Sequence, residues 1–215
     1  MNRRSIGFAV VVATILTIIS ILLFDRPVAQ MVHQLGGEQS KFLATGTSVL
    51  EIIFGMTWSK FALGFVLIIT GVVLFIWKGT RYIAWMLLFV GCTHLTARLA
   101  AGVLKEVFHR LRPYEVLAGG AWDNHFFTAH GGAFPSGHTA HFWGLFFPIA
   151  FLFPQLRIPL VVLPIFIAVA RIGVNDHWLG DIFASISICA AVTLLFIYLF
   201  RWKPNHSRQG QSTSE

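Results

Sequence analysis

Apolar residues in this chain gather in six long runs: Ile6–Phe24, Phe61–Trp77, Tyr82–Leu104, Gly137–Phe153, Ile158–Val174 and Ile182–Phe200. A bilayer core takes about 20 apolar residues of helix, and 17 is near the lower end. The pattern predicts an all-α fold, a six-span transmembrane helix bundle. Residues 1–203 form one domain, and 204–215, polar from Pro204 onward, are predicted to be a disordered tail.

Two links break the apolar rhythm. Residues 25–60 mix charge with apolar clusters at Phe42-Leu43 and Val49–Phe54, which predicts short helices lying in the membrane interface. Residues 105–136 are rich in Gly, His and aromatics, and Trp122, Phe126 and Phe127 suit headgroup depth. Arg3 and Arg4 before the first run resemble the start of a signal peptide. That run is too long for one and no cleavage site follows it, so it is read as a retained span. No internal repeat or soluble domain is visible.

Composition agrees with the pattern. Hydrophobic residues make up 56% of the 215 and charged residues 12%, with a mean hydropathy of +0.72. A soluble domain is about 25% charged, so this chain lacks the polar surface to cover a globule in water. Cys92 and Cys189 fall inside apolar runs and read as small buried hydrophobes.

The net charge of +7 is a topology signal and not a nucleic-acid footprint. With six spans, Arg3, Arg4, Lys78, Arg81, Arg157, Arg201, Lys203 and Arg208 share one side, accompanied only by Glu215. The other eight acids fall on the opposite side or at its interface. Bases crowded into short links mark the cytoplasmic side. A bacterial inner-membrane protein follows, with its two long links facing the periplasm.

Three of the polar clusters meet on that outer side. Lys105 and Arg112 follow the third span, Pro135–His138 opens the fourth, and Arg171, His177 and Asp181 lie between the fifth and sixth. Ionisable groups at membrane depth are costly and default to a functional reading. Lys105, Arg112 and Arg171 fit an anion, and the arginines can hold phosphate oxygens in pairs. Ser136 and Gly137 start a helix whose backbone N–H groups point toward a bound anion. His177 and Asp181 are four residues apart and share a helical face, so Asp181 can orient the imidazole as a nucleophile. His138 is then the acid that protonates the leaving oxygen. The chemistry assembled is phosphoryl transfer through a phosphohistidine.

The three patterns, Lys105 to Arg112-Pro113, Pro135-Ser136-Gly137-His138, and Arg171 to His177 to Asp181, together resemble the signature of the type 2 phosphatidic acid phosphatase family. The resemblance covers about residues 58–200. It implies a six-helix membrane bundle, a histidine mechanism with no metal and no cofactor, and membrane lipid phosphates or diphosphates as substrates. Undecaprenyl diphosphate, phosphatidylglycerophosphate, phosphatidic acid and lipid A phosphates are the substrate types considered. Many members carry Ser before the last arginine, where this chain has Ala170, which removes a possible phosphate hydrogen bond but no catalytic group. A lipid phosphotransferase would share the site and differ only in product. A transporter would spread polar residues through several spans, whereas here they cluster at one end.

Each piece alone has a plainer meaning. Ser136 alone reads as a helix start, Lys105 and Arg112 as snorkelling side chains, and His177 with Asp181 as a capping pair. The joint spacing is what carries the catalytic reading. His138 with His141, and His125 with His130, lack a full metal-ligand set. His94 and Arg98 lie inside the third span and are expected to pair within the bundle. Asn175 and Asp176 stand close enough to affect His177, though a solvated loop accounts for them equally.

Overall fold

The computed structural model describes residues 2–119 and 126–201. Trp122 and His125 therefore lie outside the described residues, as does the polar tail. Among the described residues the chain is helical, without strands. Helix α1 (Arg3–Ile19) starts at Asn2, whose side chain accepts from the Ser5 N–H at 2.8 Å. It runs through a π turn, Ser20–Phe24, into α2 (Asp25–Gln34), giving 32 continuous residues. After α3 (Lys41–Ile53), capped by Ser40, come α4 (Ala62–Leu74) and the 28-residue α5 (Arg81–Phe108). The short α6 (Pro113–Gly119) precedes α7 (Gly137–Leu152), α8 (Arg157–Gly173) and α9 (Leu179–Leu199).

All six apolar runs are helices, with ends within a few residues of those expected. Four helical stretches are long and apolar enough to cross a membrane: Arg3–Gln34, Lys78–Gly119, Pro154–Gly173 and Leu179–Leu199. The chain is a multi-pass membrane protein. The other two runs make shorter helices. At 1.5 Å per residue, α4 is about 20 Å long and α7 about 24 Å, less than a bilayer core of about 30 Å. Helix α7 has little lipid to match, because α5, α8 and α9 pack around it and of Thr139–Phe151 only Ile149 is not buried.

The core centres on α7, where Phe142, Leu145, Phe146 and Phe151 meet Phe89 of α5, Ile167 of α8 and Ala190 of α9. Helix α1 lies along α9 and α4 along α5. Apolar side chains also face outward: Phe8, Ile69, Val103 and Val162 are all more than half exposed. In water such a surface would drive association, whereas in a bilayer it meets hydrocarbon. Of the short helices expected in residues 25–60, α3 is separate, whereas α2 continues α1 through the π turn.

Candidate active site

Each of the three motifs sits where a helix starts or stops. Helix α5 carries Lys105 in its last turn and ends at His109, whose φ of 39° is left-handed. Arg110, Leu111 and Arg112 follow outside helix, before Pro113 opens α6. Ser136 is the N-cap of α7, its Oγ accepting from Thr139 N–H at 3.4 Å and from Thr139 Oγ1 at 3.0 Å. Arg171 lies in the last turn of α8, and Asp181 in the first turn of α9.

Backbone bonds draw these ends together. Ser136 N–H donates to Asp181 O at 3.2 Å, and Ser185 Oγ reaches the carbonyls of both Ser136 and Asp181 at 2.9 Å. The N–H groups of Asp176 and His177 both donate to Arg171 O. The loop between α8 and α9 is thus a tight turn folded on its own arginine.

His177 is buried, and its Nδ1 lies 3.3 Å from Asp181 Oδ2. The same oxygen accepts the Trp178 N–H at 2.9 Å, so Asp181 caps α9 and orients the histidine at once. With Nδ1 donating to the carboxylate, Nε2 presents its lone pair. Burial, reinforced by the positive charges of Lys105, Arg171 and Arg112, holds the His177 imidazole well below its ordinary pKa, in the neutral form a nucleophile needs.

Asp176 faces the other ring nitrogen. Its Oδ2 stands 3.7 Å from His177 Nε2, and its two oxygens contact Arg112 Nη1 and Arg171 Nη2. Asp176 and Asn175 are buried, so the plainer expectation of a solvated loop does not hold. Asn175 Nδ2 donates to Ala29 O at 3.1 Å and to Glu38 Oε1 at 2.8 Å, which pins the loop to α2 and the turn after it.

The remaining expected residues join the same cluster. Lys105 Nζ donates to Gly132 O, and a side chain at Gly137 would stand 3.6 Å from Lys105 Cε. His138 points to Glu51 of α3, its Nε2 paired with the carboxylate. Arg98 sits beside Gly137, donating to its carbonyl and to Lys60 O. His94 pairs with His141 across α5 and α7, Nε2 to Nδ1 at 3.0 Å, and not with Arg98. His130 is exposed.

Four residues near the site had no signal in the three motifs. Glu51 and Asp25 are separated from the motifs by whole helices, Arg110 sits beside a motif arginine, and Asp176 had two equal readings. Arg110 is fully buried and bridges Asp181 and Asp25. Each shows its role only once remote segments meet.

A cluster of cations around a buried histidine and carboxylate, at the end of an apolar bundle, is the layout of a membrane phosphatase. The chain belongs to the PAP2 superfamily, whose family model matches residues 61–205, well over half of its length. It is a membrane lipid phosphatase, a hydrolase of phosphoric esters. It is similar to the lipid A 1-phosphatase of Rhizobium johnstonii, 27% identical over 199 residues that cover 85% of this chain and 76% of the relative. It is also similar to the lipid A 1-phosphatase of Rhizobium etli, 28% identical over 116 residues, 53% of this chain and 50% of that protein. No solved structure matches the chain.

Proposed function

We propose that the chain hydrolyses a phosphate ester of a membrane lipid through a phosphohistidine on His177, with a lipid A type phosphate as the substrate class to test first. One observation carries this reading. Arg112 and Arg171 bracket a carboxylate of Asp176 that lies 3.7 Å from His177 Nε2, so the site already holds an anion against the nucleophilic nitrogen. The relatives named lipid A 1-phosphatase support the substrate class.

In the proposed reaction, a lipid phosphate takes the place of the Asp176 carboxylate between the two arginines. Lys105 and the start of α7 at Ser136 and Gly137 hold its remaining oxygens. Bidentate arginine contacts and helix-start N–H groups suit a dianion. His177 Nε2 attacks phosphorus, and the bond from phosphorus to the lipid oxygen breaks. His138 gives its proton to that oxygen, and Asp181 holds the Nδ1 proton as the ring becomes cationic. Water then attacks phosphorus, His138 takes a proton from it, and the P–N bond breaks to release inorganic phosphate. Glu51, paired with His138 Nε2, holds that ring in place for both transfers.

The proposed site opens to the periplasm, with the lipid tail left in the bilayer. A phosphate already confined to the reacting layer has a lower entropic cost of encounter. The test is phosphate release from lipid A, undecaprenyl diphosphate, phosphatidylglycerophosphate and phosphatidic acid in mixed micelles, beside a soluble phosphomonoester. At least one lipid is expected to exceed the soluble ester in kcat/KM by about a hundredfold, or roughly 2.7 kcal/mol. Equal values for lipid and soluble ester would remove the lipid assignment.

A further inference from the structure

Arg110 lies two positions before the arginine that the motif names, and it faces elsewhere. Arg112 keeps 31% of its side chain exposed, whereas Arg110 keeps none. The Arg110 guanidinium lies 4.4 Å from the Phe126 ring centroid and 5.0 Å from that of Trp178. Its Nη1 donates to Asp181 Oδ1 at 2.6 Å and its Nη2 to Asp25 Oδ2 at 2.6 Å. The other oxygen of Asp25 accepts the Gly180 N–H at 2.7 Å.

Resting on the histidine mechanism proposed above, we infer that Arg110 is a positioning residue for the nucleophile. It locks the Asp181 carboxylate and ties it to Asp25 of α2, so the N-terminal helices, outside the matched family range, set the reactivity of His177.

The physical case begins with Asp181. Its Oδ2 serves both His177 Nδ1 and the Trp178 N–H, and those bonds leave the carboxylate free to tilt about them. The bond from Arg110 to Oδ1 removes that freedom. A planar guanidinium holds two acceptors in fixed directions, which a lysine ammonium does not. Asp25 supplies the second acceptor, so the fork is anchored on α2 as well as on α9. Charge makes the same demand. A lone buried carboxylate is costly, and two carboxylates sharing one guanidinium are held in place by hydrogen bonds to Trp178 and Gly180. Misplacement by about 1 Å at a nucleophile's orienting group costs about a hundredfold in rate, so a locked Asp181 is a kinetic requirement.

The test keeps the buried charge constant. Two carboxylates and one guanidinium carry a formal −1, and Asp25→Asn with Arg110→Gln leaves Asp181 alone, also −1. Phosphate release from the lipid substrate is measured with full-length protein in mixed micelles. Asp25→Asn is expected to lower kcat by about five- to tenfold, because its one amide oxygen accepts from Arg110 or from Gly180 but not from both. Adding Arg110→Gln is expected to lower kcat by about thirtyfold or more, with KM within about threefold, the mark of a group acting on the chemical step. In an Asp25→Asn, Asp181→Asn background, single-turnover rates are expected to fall by less than about threefold when Arg110→Gln is added, since no carboxylate is left to orient.

Wild-type kcat in the folded Asp25→Asn, Arg110→Gln protein overturns the inference. So does an equal loss in both backgrounds, which assigns Arg110 to packing alone. Where the glutamine variant does not fold, Arg110→Lys runs the same cycle. A kcat loss that vanishes with Asp181→Asn supports the inference, and no loss, or one that persists, overturns it. Wild-type kcat in Asp181→Asn itself would instead remove the histidine mechanism, so the two failures are distinct.

Discussion

Two side chains at the centre of the site carry the sharpest expectations. His177→Ala is expected to abolish phosphate release, because no other group stands where its Nε2 does. Asp181→Asn is expected to leave a folded enzyme slowed by about a thousandfold or more, since the amide can turn its NH2 toward Nδ1 and favour the wrong tautomer. Both are checked by kcat in mixed micelles, with gel filtration in detergent to show intact folding. Full activity in well-folded His177→Ala protein would sink the mechanism. A second expectation concerns acid. A hydrogen bond from His138 holds the Glu51 carboxyl below its ordinary 4.5, and one from Asn175 does the same for Glu38. A carboxylate with a lowered folded pKa adds stability that is complete above the unfolded value and is lost as pH falls through the folded one. Melting temperature is therefore expected to drop between about pH 5 and 3, and Glu38→Gln with Glu51→Gln to flatten that drop. An unchanged slope in the double variant would show that these bonds do not bear on folding. At this scale the three motifs were legible because their spacing is local. Glu51, Asp25 and the inward turn of Arg110 were not, because each is defined by a partner far along the chain.

The π turn at Ser20–Phe24 is the feature of the elements that patterning does not reveal, because all five of its residues fit an ordinary apolar helix. A π turn adds a residue and turns the following face, and Asp25 directly after it is 3% exposed. The first turn of α9 meets this region at Gly180. A Cβ there would stand 2.7 Å from Ile21 Cγ1 and 3.0 Å from Asp25 Oδ2, so the two elements approach only over a glycine. Gly180→Ala is expected to cost about 1–3 kcal/mol, the usual range for overpacking a dense contact. A thermal melt in detergent checks it, and a melting temperature equal to or above wild type would mean the contact relaxes freely. The six apolar helices were legible to within a few residues, since hydrophobic length is a strong signal. The shortness of α7 was legible, but that of α4 was not, because Phe61 and the apolar residues after Leu74 continue the run past the helix.

Orientation is a property of the whole molecule. The bases crowded at Arg3, Arg4, Lys78 and Arg81 argue for a cytoplasmic side opposite the proposed site. Single cysteines at exposed His130 and Gly79, in a chain lacking Cys92 and Cys189, are expected to differ toward an impermeant thiol reagent in intact spheroplasts. Position 130 should react and position 79 should not, and the reverse pattern would invert the topology. At this scale the sequence by itself determined the class: apolar length demands a membrane, and three motifs at set spacings mark the phosphatase family. Tertiary structure alone decided what surrounds them. It brought Asp176 between Arg112 and Arg171, Glu51 onto His138, His94 onto His141, and Arg110 between Asp181 and Asp25. The reason is physical. A motif encodes residues that must be near one another in sequence to share a helix end. A buried charge takes whichever partner the packing of distant helices delivers, and that choice leaves no local pattern in the chain.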